Sequence, residues 1–216
     1  IVFGSHQAPH PGWHLYAQRA DGSGPPERLE VPWITEKHPG SLTPDGRTLL
    51  FAANEPGKEG VYSLPATGKG APALVLAGRH WDLPLLSPDG RLLAYESDET
   101  GQHEIVVQPF PGLGPKVQVS AGGGSRARWS PDGRQIFYRW GPRIYSVQVD
   151  QAPRLQASLP VVFAEVPGLV GFDVMPDGKE IVAITQVMEA GNVRHLQLIV
   201  NWSGELDRLA PAGSAR

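Results

Sequence analysis

"SPDGRLLAYESDE", residues 87–99, couples a tight turn to an apolar run that ends in charge. Alone it reads as a hairpin. Three more copies decide the fold: "TPDGRTLLFAANE" from Thr43, "SPDGRQIFYRW" from Ser130 and "MPDGKEIVAIT" from Met175. The Asp-Gly pairs stand at Asp45-Gly46, Asp89-Gly90, Asp132-Gly133 and Asp177-Gly178, at intervals of 44, 43 and 45 residues. A fixed period near 44 residues is the signature of a repeat architecture.

The turn chemistry is local. Proline presets φ, aspartate accepts bonds from nearby backbone N–H groups, and glycine takes φ > 0 without steric strain. Thr43, Ser87 and Ser130 precede the proline and can add a hydroxyl bond, which Met175 cannot. The last hairpin should therefore be the weakest. The four aspartates are turn residues on this reading, not acid–base pairs.

Matched apolar columns follow each turn: Leu49, Leu93, Ile136, Ile181, then Leu50, Ala94, Phe137, Val182, then Phe51, Tyr95, Tyr138, Ala183. Ile1, Val2 and Phe3 fit the same columns without a turn of their own. A further strand reads "HLYAQ" (14–18), "GVYSL" (60–64), "EIVVQ" (104–108), "RIYSV" (143–147) and "HLQLIV" (195–200). An outer strand reads "PERLEV" (26–31), "PALVL" (72–76), "PKVQV" (115–119) and "PVVFAEV" (160–166). Inner strands end just before the turns, as in "DLPLLS" (82–87) and "RARWS" (126–130).

Near-continuous apolar runs mark strands buried on both faces, as in a blade packed between two neighbours. Period and strand content predict an all-β chain: a β-propeller of four-stranded antiparallel blades. The repeat units are 1–34, 35–78, 79–122, 123–166 and 167–216. The first lacks an inner strand and the last an outer one. This predicts about five blades of a larger propeller whose N-terminal part lies upstream of Ile1. Such a piece would expose sheet edges and favour self-association. A complete five-blade ring with irregular ends is the alternative.

The bulk numbers fit. The chain has 216 residues, 26 glycines and 22 prolines, so short elements joined by many turns are expected. The best helix candidate is "GELDRLA" (204–210). A net charge of −3 with scattered basic residues does not point to nucleic acid, and no apolar run is long enough for membrane insertion. With no cysteine, disulfides, zinc-thiolate sites and thiol nucleophiles are excluded.

"LSPDGRLLAYESDETGQHEIVVQPF" (86–110) resembles the WD40-like repeat of the TolB-like propellers, with its S-P-D-G-[RK] turn. The resemblance spans nearly the whole chain. "HLQLIVNWSGELDRL" (195–209) resembles, less specifically, the end of bacterial TolB-like propellers that follow a serine/threonine kinase domain. No kinase signature occurs in the chain itself. The family implies a protein-interaction or ligand-sensing platform, and an extracytoplasmic place is favoured by it. The same repeat occurs in propellers attached to serine peptidases.

Candidate chemistry is sparse. His6, His10 and His14 fall four apart in "SHQAPHPGWH", but Pro9, Pro11 and Gly12 exclude the helix that would align them as metal ligands. They read as incidental loop histidines. "GGGSRA" (122–127) misses the nucleophile elbow at Ala127, and a strand follows it where a helix is required. It also lacks the lysine of a phosphate cradle. Its glycines read as a crossing between blades.

The best binding candidates are polar residues on or near inner strands, which line a propeller's channel: His38, Asp82, Arg126, Arg128 and Asp173. The competing reading is that they pair with one another. Trp33, Trp81, Trp129 and Trp140 should mostly pack between blades. The expected function is a non-catalytic scaffold that binds a protein or peptide. A small-ligand sensor for a signalling protein is the second reading. The third is a channel-site lyase or hydrolase, or a peptidase's accessory propeller. No metal and no cofactor is expected.

Overall fold

The central strands of this chain are sandwiched, and that arrangement sets everything else. In a computed structural model, residues 1–6, 12–31, 36–78, 83–112, 114–189 and 192–200 are described, with 187–200 as backbone alone. Asp82, His10, Trp33, Trp81 and the "GELDRLA" stretch lie outside the described residues. No helix occurs among the described residues, and so none long and apolar enough to cross a membrane.

Five antiparallel sheets follow one another along the chain. Blade A holds β1 (Val2–Ser5), β2 (His14–Ala17) and β3 (Glu27–Arg28). Blade B holds β4 (Lys37–Leu42), β5 (Thr48–Ala53), β6 (Gly60–Pro65) and β7 (Ala73–Ala77). Blade C holds β8 (Leu85–Leu86), β9 (Leu92–Ser97), β10 (Glu104–Pro109) and β11 (Val117–Gln118). Blade D holds β12 (Ser125–Trp129), β13 (Gln135–Trp140), β14 (Arg143–Asp150), β15 (Gln156–Ala157) and β16 (Val161–Glu165). Blade E holds β17 (Leu169–Val174), β18 (Ile181–Glu189) and β19 (Asn192–Val200).

Side chains alternate along a strand, so a strand between two neighbours sends every second residue to each. Leu49, Phe51 and Ala53 join Leu15 and Leu29 between blades A and B. Leu50 joins Leu93 and Tyr95 between B and C. Ala94 joins Ile136 and Tyr138 between C and D. Phe137 joins Phe172, Ile181 and Ala183 between D and E. The first and third sequence columns thus face the preceding blade, and the second faces the following one. Each such large side chain contributes about 1.5–3 kcal/mol of burial.

Blade D departs from the four-strand expectation. Its β14 is eight residues long, and two strands share its outer edge: β16 pairs Arg143–Ser146, and β15 pairs Val149 and Asp150. Pro160 stands between the two segments and breaks the outer strand into two. The outer strands of blades A and C are shorter than the sequence implies. Only Glu27–Arg28 and Val117–Gln118 pair in blades A and C, although Leu29, Val31 and Val119 beyond them are buried.

Candidate functional site

The turns place the inner strands. In the first three, the hydroxyls of Thr43, Ser87 and Ser130 each donate to the Oδ1 of Asp45, Asp89 and Asp132 at 2.6 Å. The same Oδ1 accepts the backbone N–H of Arg47, Arg91 or Arg134 at 3.0–3.1 Å. The Thr43 hydroxyl and the Arg47 N–H hold the Asp45 carboxyl below the usual carboxylate range, as Ser130 and Arg134 do for Asp132. At Asp89 burial opposes ionisation, and the bonds from Ser87, Arg91 and Gln151 outweigh it. At the fourth turn, where Met175 brings no hydroxyl, Asp177 Oδ1 accepts Lys179 N at 2.9 Å and Glu180 N at 3.4 Å.

The first strands of blades B to E sit side by side, β4 to β8, β8 to β12 and β12 to β17. Gly40 lets β4 reach blade C, because a Cβ there would lie 2.3 Å from Pro84 O. Ser41 completes that seam: its N–H donates to Pro84 O at 3.0 Å and its Oγ accepts Leu86 N at 2.7 Å. Trp129 Nε1 donates to Leu85 O at 3.3 Å between C and D.

The blade D–E seam is charged. Arg128 Nε lies 3.4 Å from Asp173 Oδ1, and its Nη1 donates to Ala127 O at 2.7 Å. Arg139 Nη1 donates to Val170 O at 3.3 Å, and its Nε to Gly141 O at 3.0 Å. Burial, and then the charge of Arg126, pull the Arg139 pKa down. The structure thus pairs Arg128 with Asp173 and sets Arg126 close to Arg139. His38 is apart from them, half-buried on β4 with its ring centroid 6.2 Å from Trp13.

Arg126 is the one non-glycine residue with positive φ among the described residues, at 53°. That conformation costs an L-residue about 1–2 kcal/mol. It falls in the register break of β12 between Ser125 and Arg128. Similar breaks interrupt β4 between Pro39 and Leu42, and β17 between Leu169 and Gly171. Bulges of this kind re-aim side chains.

Two buried acids fix the crossing from blade C to D, and sequence reading missed both. Glu96 Oε1 accepts Arg126 N at 2.8 Å, and its Oε2 lies 3.4 Å from His103 Nδ1. Glu104 accepts the Ser120 hydroxyl, Gly123 N at 3.0 Å and Gln102 Nε2 at 2.7 Å. Both acids sit near charged, turn-rich sequence that reads as solvated. Their one signal is that they occupy the strand ends on either side of the 98–103 turn. Ser125 merely opens β12 there, with its hydroxyl 3.4 Å from Arg139 O.

His14 corrects the loop reading. It is 4% exposed on β2, with Nδ1 3.2 Å from the Nζ of Lys37, itself 1% exposed. Burial, then the Arg28 charge, lower the Lys37 pKa to about 8. His6 is exposed. Among the described residues, no group of three or more His, Cys, Asp or Glu side chains is arranged to hold a metal ion. Of the tryptophans, Trp129 packs on the C–D core, whereas Trp140 is 45% exposed.

Solved structures supply the comparison. A protein described as TolB from Agrobacterium tumefaciens superposes with a TM-score of 0.66 at 23% identity, over 87% of this chain and 70% of that one. The chain shares the TolB-like propeller fold. TolB from Acinetobacter baumannii gives 0.65 at 18% identity, over 92% of this chain and 48% of that one, so the chain spans about half of its length. A gluconolactonase from Xanthomonas campestris gives 0.60 at 16% identity, over 87% of this chain and 70% of that one. No protein-family model matches the sequence, and no curated protein matches it.

Proposed function

We propose that this chain is a non-catalytic propeller platform that binds a protein or peptide across its inner-strand face. The observation that carries the reading is the triple register break in β4, β12 and β17. These breaks re-aim side chains on the strands nearest the propeller axis, where a bound segment can meet them. The charged groups beside them are arranged for recognition. Arg128 is neutralised by Asp173 and Arg139 rests on carbonyls, so neither is poised as an acid or base. Propellers of the TolB-like kind commonly bind proteins, which supports the same reading. Fold does not choose between binding and catalysis, and the lactonase neighbour makes lactone hydrolysis the activity to exclude.

The test has two parts. Peptides selected from a random phage-displayed library on the purified chain should lose binding to an Arg128→Ala/Asp173→Ala variant. The chain should not open gluconolactone faster than buffer does. Turnover above the spontaneous rate, or peptides indifferent to that variant, would sink the proposal.

A further inference from the structure

Arg126 is placed at a conformational penalty, and its side chain makes no bond among the described residues. Its backbone N–H is fastened by the buried Glu96 carboxylate, and its φ is left-handed. Its guanidinium is exposed and makes no hydrogen bond or ion pair among the described residues. A glycine would hold the same backbone without strain. Strain that local structure enforces and does not use is a pointer to function.

The surroundings say what would use it. The Ser130 turn closes β12 and β13 at one end, so the Ser125–Arg139 pair marks the opposite end of blade D. There Arg139 lies opposite Ser125, the neighbour of Arg126, and the exposed Trp140 ring covers Gly123, where a Cβ would lie 2.4 Å from the indole. Arginine and tryptophan together are the usual anchors of protein interfaces. A guanidinium fork matches a carboxylate in two parallel bonds.

We infer that Arg126, with Arg139 near it and Trp140 at the same end of blade D, anchors a carboxylate of an acidic peptide segment on the face opposite the Pro-Asp-Gly turns. This rests on the peptide-binding reading and names the chemistry of the peptide. A Glu or Asp side chain of the partner supplies the two acceptor oxygens. The indole supplies the apolar flank.

The test is fluorescence anisotropy at low salt with a labelled hexaglutamate peptide and its hexaglutamine counterpart, on the wild-type chain, Arg126→Gly, Arg126→Lys and the remote control Arg154→Gly. The wild type and Arg154→Gly should bind hexaglutamate alike. Arg126→Gly should weaken binding at least tenfold, and Arg126→Lys should fall between. Thermal melting should show Arg126→Gly stabilised by a few degrees, about 2–4 °C for a chain of this size.

No binding of hexaglutamate to wild type, or equal binding to Arg126→Gly, overturns the inference. A lower melting point for Arg126→Gly overturns its strain component. Hexaglutamine binding as tightly as hexaglutamate overturns the acidic specificity and leaves the peptide-binding reading standing. Displacement of hexaglutamate by equimolar succinate overturns the peptide assignment in favour of a small dicarboxylate.

Discussion

Gly133 of one turn packs on Pro88 of the turn before it: a Cβ on Gly133 would lie 3.3 Å from the Cδ of Pro88. The contact recurs around the propeller. Gly178 meets Pro131 at 3.3 Å, and Gly90 meets Pro44 at 2.8 Å. Each Pro-Asp-Gly turn therefore closes its own hairpin and also steps onto the proline of the preceding blade. A Cβ on Gly46 would meet nothing within 4 Å among the described residues.

This staircase separates two roles of the same residue. Gly46 and Gly90 have φ of 69° and 71°, so alanine at either position meets the same left-handed strain, about 1–2 kcal/mol. Only at Gly90 does the new methyl also strike a neighbouring proline. Gly90→Ala should lower the denaturant midpoint clearly more than Gly46→Ala does. Equal losses would show that the contact between turns is idle.

The fourth turn offers the reverse experiment. Met175→Ser restores the hydroxyl that Ser87 and Ser130 use to bridge their aspartate and the strand N–H. A net hydrogen bond is worth about 0.5–1.5 kcal/mol, and half-buried Met175 gives up some apolar contact. The melting temperature should rise by about 1–3 °C, and the gain should vanish in an Asp177→Ala background. No gain in the parent chain would mean that Asp177 is already satisfied by Lys179 and Glu180.

Much of this was legible in the sequence because it is local or periodic. The turn needs only four residues in a row. The columns Leu49, Leu50 and Phe51 are read from a near-continuous apolar run, and in the structure they divide between the cores on the two faces of blade B. What stayed hidden depends on contacts between distant residues. The split outer edge of blade D arises from the length of β14 and the break at Pro160. Glu96 and Glu104 look like solvated charge until the "GGGSRA" crossing folds back over them. His14 looks like a loop residue until Lys37 of the next blade closes on it. The strain at Arg126 is a backbone angle, and no residue type announces it.

The turn carboxylates predict an acid limb. Asp45, Asp89 and Asp132 hold their protons less tightly in the fold than in the unfolded chain. Their contribution is complete above the unfolded value near pH 3.9 and is lost as pH falls through the lower folded values. A triple Asp45→Asn, Asp89→Asn, Asp132→Asn variant should show a flatter stability profile than the parent below about pH 4. Parallel profiles in chemical denaturation would refute the linkage.

Lys37 predicts a limb of opposite cause at high pH. Its folded pKa is pulled to about 8 from 10.5 by burial and by Arg28, against the attraction of Glu55 and Glu30. Between those two values the unfolded chain binds more protons than the folded one, so this group makes stability rise with pH. Below pH 8 the ammonium is charged in both states and the profile is flat. Buried Tyr95 and Tyr138, both pushed up to about 12, act in the other direction above pH 10, because the unfolded chain loses those protons first. The comparison with Lys37→Met cancels the tyrosines and isolates the lysine. The stability of the parent relative to Lys37→Met should rise steadily from about pH 8 to 10. A gap that stays constant over pH 8–10 in urea titrations would show that Lys37 keeps its proton in the fold as readily as in the open chain.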